Sequence, residues 1–477
     1  MAPKNNNKIG VFLALLLVLG TTTAVQAQWE YEPSIYTGVL WTDNLGLQPD
    51  GNQRDDLSYE VRPSLLLTHR GPRFTLDSNY ILQARRFQEN DENDQVFHNL
   101  NFRSGWIALA DQGNQVGVDF LSNIQQQIVD LQLGIGGTTA TRVGNQSDIA
   151  TYSIEPYWNF SAGSSVTGRV AYRIGLNEFD QPQLLDSKNN NITISAATDP
   201  DRGRWSLGGS FTSSTIEYDT GREVTLARTS VDFGYDVTPR TEFVLSVGSD
   251  DNDLGNLPFL GDIDGAFWLA GFKGQLGGNT RYEARVGEQF FGSSYLLSLD
   301  RTQGRLTFSV SYSEQASTFG GAQLDFQAIL GLLPNIDATG VDLPNTTQDV
   351  FISKRLNFGM GYTLPKSTFQ LNVFSDDRTF LSSLDGDRED RGSGANLTWN
   401  WQMSQTSSFT LIGNFRSFVI RNTGDEPKDI LFEARWRRDL FERAYMDLRV
   451  IHNQRQSNIE QFDFQENTVA VGVGYRF

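Results

Sequence analysis

The stretch that most constrains this chain is Thr468-Val469-Ala470-Val471-Gly472-Val473-Gly474-Tyr475-Arg476-Phe477. Val469, Val471, Val473, Tyr475 and Phe477 share one parity, and Ala470, Gly472, Gly474 and Arg476 share the other. A strand sends successive side chains to opposite faces. One face here is therefore wholly apolar and ends in two aromatics, while the other is small or charged. A core strand of a soluble sandwich also alternates. An aromatic border on the last residue, with a small opposite face, suits the wall of a transmembrane barrel: apolar toward lipid, polar toward the lumen.

Composition agrees once that period is allowed for. The chain has 477 residues, 38% of them hydrophobic, which is far too polar for a bundle of membrane helices. A barrel wall shows lipid only every second residue, so its apolar face disappears in such averages. The 45 glycines and 32 phenylalanines suit many turns and much exposed aromatic surface. Cysteine is absent, which removes disulfides and thiolate chemistry.

At the other end, Lys4 and Lys8 precede the apolar run Ile9 to Leu19, and Val25-Gln26-Ala27 supplies small residues at cleavage-site spacing. This reads as a secretory signal peptide over residues 1–27, cleaved after Ala27, with the barrel over 28–477. No stretch reaches the ~20 apolar residues of a membrane helix. The formal charge of −18 becomes two units more negative without the leader, which argues against nucleic acid as a partner.

From Tyr31 onward, strand-like segments follow one another without a linker. Tyr31 to Asn44, Leu57 to Thr68 and Phe74 to Leu82 are the first three. Short turns are expected at Gly71 to Arg73, Asp111 to Asn114, Ala162 to Ser165, Asp199 to Gly203, Thr238 to Arg240, Gly277 to Asn279, Arg301 to Gly304, Pro365 to Ser367, Ser404 to Ser408 and Glu442-Arg443. Longer connections alternate with them: Gly46 to Asp55, Glu89 to Asp94, Leu131 to Ser147, Asp251 to Asp264, Phe319 to Asp349, Asp385 to Asp390 and Thr423 to Lys428. Short turns at one end and long loops at the other are the asymmetry of an outer-membrane barrel. The expectation is an all-β, closed, antiparallel transmembrane β-barrel of roughly 22 strands, between about 20 and 24. Within the longest loop, the apolar run Phe326 to Pro334 either folds inward or packs on the rim.

Charged residues inside strands point to the lumen. Glu433, Arg435 and Arg437 oppose Ile430, Phe432, Ala434 and Trp436, and Asp447, Arg449 and Arg455 oppose Met446, Leu448 and Val450. An Arg on the lipid face at mid-membrane costs ~2–4 kcal/mol, so these six are expected on the inner wall. There they either line a pore or zip the wall together as ion pairs. Tryptophans near strand ends, Trp41, Trp106, Trp158, Trp205 and Trp268, together with Trp399 and Trp401, suit interfacial girdles.

Catalytic and metal signatures are missing. His69, His98 and His452 lack a neighbouring nucleophile in any recognisable pattern, and an enzyme is not expected. Asp250-Asp251-Asn252-Asp253 and Asp385 to Asp390 lack calcium-loop spacing and read as solvated acidic loops. No cofactor and no metal site is expected.

Two resemblances add to this. The terminal Val469, Val471, Val473, Tyr475 and Phe477 resemble the C-terminal signal by which bacterial outer-membrane barrels are recognised and inserted. That implies the barrel-assembly machinery as a partner, with outer-membrane lipid and lipopolysaccharide around the barrel. Thr42-Asp43-Asn44, Ser64-Leu65-Leu66-Leu67 before Gly71, and Asp148 to Trp158 resemble the outer-membrane β-barrel proteins associated with the PEP-CTERM/exosortase system. That resemblance implies a setting of exopolysaccharide production and a role as channel or assembly platform. The alternative is a general diffusion porin for small polar solutes.

Overall fold

The computed structural model describes residues 28–128, 146–163, 165–180, 184–198, 203–255, 263–318, 350–381, 389–420 and 425–477. The expected signal peptide and the run Phe326 to Pro334 lie outside them.

Twenty-two strands form one sheet. In chain order they are β1 (Gln28–Thr42), β2 (Asp56–Arg70), β3 (Phe74–Phe87), β4 (Gln95–Asp111), β5 (Asn114–Ile128), β6 (Gln146–Ala162), β7 (Val166–Phe179) and β8 (Ser187–Thr198). Then come β9 (Trp205–Tyr218), β10 (Glu223–Thr238), β11 (Thr241–Asp253), β12 (Gly265–Leu276), β13 (Thr280–Gln289), β14 (Gly292–Gln303) and β15 (Leu306–Thr318). The last are β16 (Val350–Leu364), β17 (Ser367–Phe380), β18 (Glu389–Ser404), β19 (Ser407–Ile420), β20 (Lys428–Asp439), β21 (Ala444–Gln456) and β22 (Phe464–Arg476). Each strand pairs antiparallel with the next, and β1 pairs with β22 from Ser34↔Arg476 to Thr42↔Thr468. That last pairing closes the sheet, so the fold is a transmembrane antiparallel β-barrel of 22 strands.

The wall is inverted relative to a soluble protein. Val471 is 45% exposed, Phe432 56% and Val286 53%, and the same outward parity carries Val61, Ile192, Val231, Leu297, Leu356, Leu397 and Phe415. An apolar surface that runs around every part of a sheet, far beyond a few hundred Å², requires lipid. The inner parity carries Ser, Thr, Asn, Gly and paired charges instead.

Turns at the end that carries Gln28 and Phe477 are mostly tight. At the β4–β5 turn, Gln112 and Gly113 both have positive φ, 44° and 86°, which matches the right-handed twist of the flanking strands. The opposite end carries most of the longer connections, but β9 and β10 are joined by four residues, and β13 and β14 by Phe290 and Phe291 alone, their rings edge to face at 5.1 Å. β13 has 10 residues, about the minimum to cross a membrane at barrel tilt, whereas β6 has 17. The wall is therefore low at β12–β15 and high at β4–β7.

Several expected boundaries differ. β3 runs on to Phe87 rather than Leu82, and β2 spans Asp56 to Arg70. Asp250 to Asp253 belong to β11 and not to a loop. Above the membrane both faces of a strand meet polar surroundings, so alternation fades before the hydrogen-bonded ladder ends.

Candidate functional site

The inner wall is the only extended surface on which the described residues gather polar chemistry, and it divides into arcs.

The arc at the closure, β20 through β22 to β3, is filled by large charged side chains. Glu60 accepts from Arg85 at 2.5 Å, pairs with Arg62 at 2.6 Å and takes Gln83 Nε2 at 2.7 Å. The Arg62 guanidinium lies 4.0 Å from the Tyr36 ring centroid. Tyr36 in turn covers Gly38 and Gly472, where a Cβ would collide with its ring, so these two glycines let the phenol lie flat across the β1–β22 seam. On the other side of the seam Arg435 donates to Asp447 at 2.5 Å, and Arg449 lies 3.6 Å from Glu433.

Above these, Arg455 donates to both carboxylate oxygens of Asp429, at 2.7 and 2.9 Å. The six sequence-predicted charges therefore share the inner face of β20 and β21, but they do not form one row. Arg435, Arg449 and Glu433 keep partial access to the lumen, and Arg437 stacks over Tyr445 at 3.7 Å. Arg455 has no side-chain exposure and belongs to a buried bidentate pair, so it does not line a water-filled passage.

Further arcs repeat the motif. Glu155 on β6 pairs with Arg169 at 2.7 Å and Arg173 at 2.6 Å, both on β7. Arg228 on β10 holds Asp250 through two bonds at 2.6 and 2.9 Å and reaches Gln289 on β13. Arg378 and Asp376 pair at 2.7 Å on β17. In each case cation and carboxylate sit side by side, which cancels their long-range field and leaves little net charge along the wall.

Apolar side chains gather in three clusters at the end with the longer connections. Ile216 and Tyr218 of β9, Val224 of β10, Leu254 and Ile263 of the β11–β12 connection, and Val350 of β16 form one buried cluster. It joins the β9–β11 side to β16 over the low rim of β12–β15. Ile149, Phe179 and Leu184 form a second cluster. A third is Leu45 on the β1–β2 connection, held against Leu40, Phe87 and Ala470. The first and third need residues from distant hairpins and were not legible in the sequence, while the second rests on the register pair Ile149↔Phe179 of adjacent strands.

The boxes that carried the family resemblance have structural duties. Asp43 accepts Asn467 N and Nδ2, both at 2.7 Å. Asn44 is fully buried and donates Nδ2 to Gln465 O at 2.9 Å and to Gln48 O at 2.7 Å. The two side chains thus staple the first strand's end to the last strand. In the Asp148–Trp158 box, Asp148 accepts Gln126 Nε2 at 2.9 Å, Thr151 donates to Asn177 at 3.1 Å, and Trp158 faces outward.

Val469, Val471, Val473 and Tyr475 lie on the outer face, and the Phe477 ring meets Tyr475 edge to face at 5.2 Å. Trp29, Trp106, Trp158, Trp205 and Trp401 are exposed near the end with short turns, whereas Trp41 and Trp268 lie toward the other. His69 sits against Trp29 at 4.3 Å, His98 meets Tyr80 Oη at 2.8 Å, and His452 meets Asn467 at 2.9 Å. Among the described residues no group of three or more His, Asp or Glu is arranged to hold a metal ion.

No known family's sequence profile matches the chain. No curated protein matches it either. Among solved structures, it is similar to the siderophore receptor PirA from Acinetobacter baumannii at 8% identity and a TM-score of 0.49, covering 96% of this chain and 81% of that one. The FrpB iron transporter from Neisseria meningitidis gives 7% identity and a TM-score of 0.48, covering 94% and 83%. An anion-selective porin from Comamonas acidovorans gives 9% and 0.35, covering 95% and 100%.

Proposed function

We propose that this chain is a bacterial outer-membrane barrel that offers polar solutes a route through its lumen, in the setting of a surface-polysaccharide and PEP-CTERM system. The observation that carries the channel reading is the inversion of the wall. Apolar side chains face out on every part of the sheet, and polar side chains on the inner face keep access to water. The placement in a polysaccharide system rests on the Thr42-Asp43-Asn44 and Asp148–Trp158 boxes.

A second reading, an assembly platform with a closed lumen, is favoured by a different observation: the apolar cluster that reaches from Ile216 to Val350 over the rim of β12–β15.

Conductance separates the two. The purified protein in planar bilayers should carry a steady current if the lumen is open. Changing Arg435 and Arg449 together to Glu should then shift the reversal potential toward cations, most at low salt where screening is weak. A silent bilayer with correctly inserted protein would remove the channel and leave the platform. Loss of the gene without any change in secreted polysaccharide would remove the system-level part.

A further inference from the structure

The lumen also has an uncharged row of amides at mid-wall. Asn372 of β17, Asn396 of β18 and Asn414 of β19 are direct register partners, so three carboxamides stand side by side at one height. Gly359 of β16 continues the row, and a Cβ there would come within 2.8 Å of Ser309 Oγ and 3.4 Å of Asn372 Oδ1, so the Ser309 hydroxyl and the Asn372 amide close over the glycine. Asn396 Nδ2 donates to Asn414 Oδ1, and Thr398 Oγ1 donates to Asn396 Oδ1 at 3.4 Å, so the amides are held in line. Asn372 is exposed to the lumen.

One step above the row, Phe374 lies against Gly394: a Cβ at 394 would come within 2.7 Å of its Cε1. The glycine lets the ring lie along the wall instead of standing across the lumen. The nearest inner charge above the row, Arg416, is the register partner of Gly394 and is buried, and Asp376 and Arg378 beyond it are buried and paired with each other.

We propose that this strip on β17–β19 binds an uncharged, polyhydroxylated chain, that is, a neutral glycan segment in transit. The inference rests on the channel reading and names its substrate class. A primary amide offers two donors and an acceptor, which matches vicinal hydroxyls that both give and take hydrogen bonds. A phenyl face offers a surface for the C–H side of a sugar ring. Neighbouring strands lie about 4.8 Å apart, so three adjacent asparagines span about 10 Å, close to the length of a disaccharide. Anions and cations gain little here, since the row carries no charge.

The test uses the full-length protein in amine-oxide micelles and, separately, in planar bilayers. The probes are maltohexaose, cellohexaose and laminarihexaose. A polyethylene glycol of equal size serves as a control that has bulk but no vicinal hydroxyls. Calorimetry should show that at least one hexaose binds and the polyether does not. The triple variant Asn372→Ala, Asn396→Ala, Asn414→Ala should weaken that binding about tenfold or more. Phe374→Leu, which keeps the apolar contact with Gly394, should weaken it less.

Heat-modifiable migration of each variant checks that the barrel is intact. In bilayers the bound hexaose should interrupt the current of the parent more than that of the triple variant. No binding of any hexaose, equal binding of the polyether, or full affinity in the folded triple variant would each overturn the strip. Binding without conductance would instead overturn the channel reading and leave the strip standing.

Discussion

The closure arc, β20 to β3, and the low arc, β12–β15, are built from the same ladder and differ in almost everything the ladder carries. The closure arc fills its inner face with Arg62, Arg85, Arg435, Arg449 and Arg455 against Glu60, Asp429, Glu433 and Asp447. The low arc mixes Gly271, Gly287, Ser294, Ser298, Ser309 and Ser311 on the same face with more exposed charges such as Lys273, Glu283 and Arg285, on strands of 10 to 13 residues. Buried ion pairs are thus concentrated on one side of the lumen and small side chains on the other. Where the two ends of the chain must meet, buried ion pairs lock the seam; where neighbours meet by short turns, the pairs that tie the wall, such as Arg285 with Glu283, stay partly exposed among small side chains.

The most severe break of this contrast is at the seam's border. Tyr475→Ala with Phe477→Ala removes the aromatic pair beside the closing strand and should abolish most assembled protein, measured as heat-modifiable, membrane-embedded material. Normal yield would show that the seam forms without its outer aromatic edge.

Next is Asp429→Ala, which leaves the Arg455 guanidinium buried without its bidentate partner. A loss of about 3–5 kcal/mol is expected in urea unfolding. The matching change in the low arc, Ser298→Ala, should stay within about 0.5 kcal/mol. Equal losses at the two sites would erase the distinction.

A smaller effect tests the mouth. Leu254→Asp puts a carboxylate into the apolar cluster but lies on a connection outside the wall. Assembly should survive, and open probability in bilayers should rise. An unchanged current would mean that this cluster does not limit passage.

The smallest effect belongs to the outer rim. Arg391 and Asp377 pair at 2.6 Å with most of the guanidinium in solvent, so Arg391→Ala should change stability by less than about 1 kcal/mol and leave conductance alone.

Much of the fold was legible because the apolar parity is imposed by lipid along each strand. The strand number, the antiparallel order and the end with tight turns follow from period-2 segments and turn residues. The inner position of Glu433, Arg435, Arg437, Asp447, Arg449 and Arg455 followed from the cost of charge in lipid.

What stayed hidden needs register. That Arg455 meets Asp429 and is sealed from water depends on the Asp429↔Arg455 pairing, which a single strand does not reveal. The asparagine row needs three strands aligned at once. Asp43 and Asn44 gave a sequence likeness but no hint of Asn467 and Gln465, because their partners lie at the far end of the chain.

That staple bears on how the barrel comes to exist. Each hairpin joins residues close in sequence and closes at small entropic cost. The last junction, Asp43 with Asn467, brings together chain positions 424 apart. Loop closure over such a span costs about 5 kcal/mol in chain entropy if the intervening chain is flexible, and far less once the sheet has already curled. The order of events is therefore built in: the wall must be laid down nearly complete before its ends can find one another. A nascent chain missing only its final strand carries two open edges and most of its lipid-facing surface, so it is a substrate for chaperones and proteases rather than a smaller working barrel.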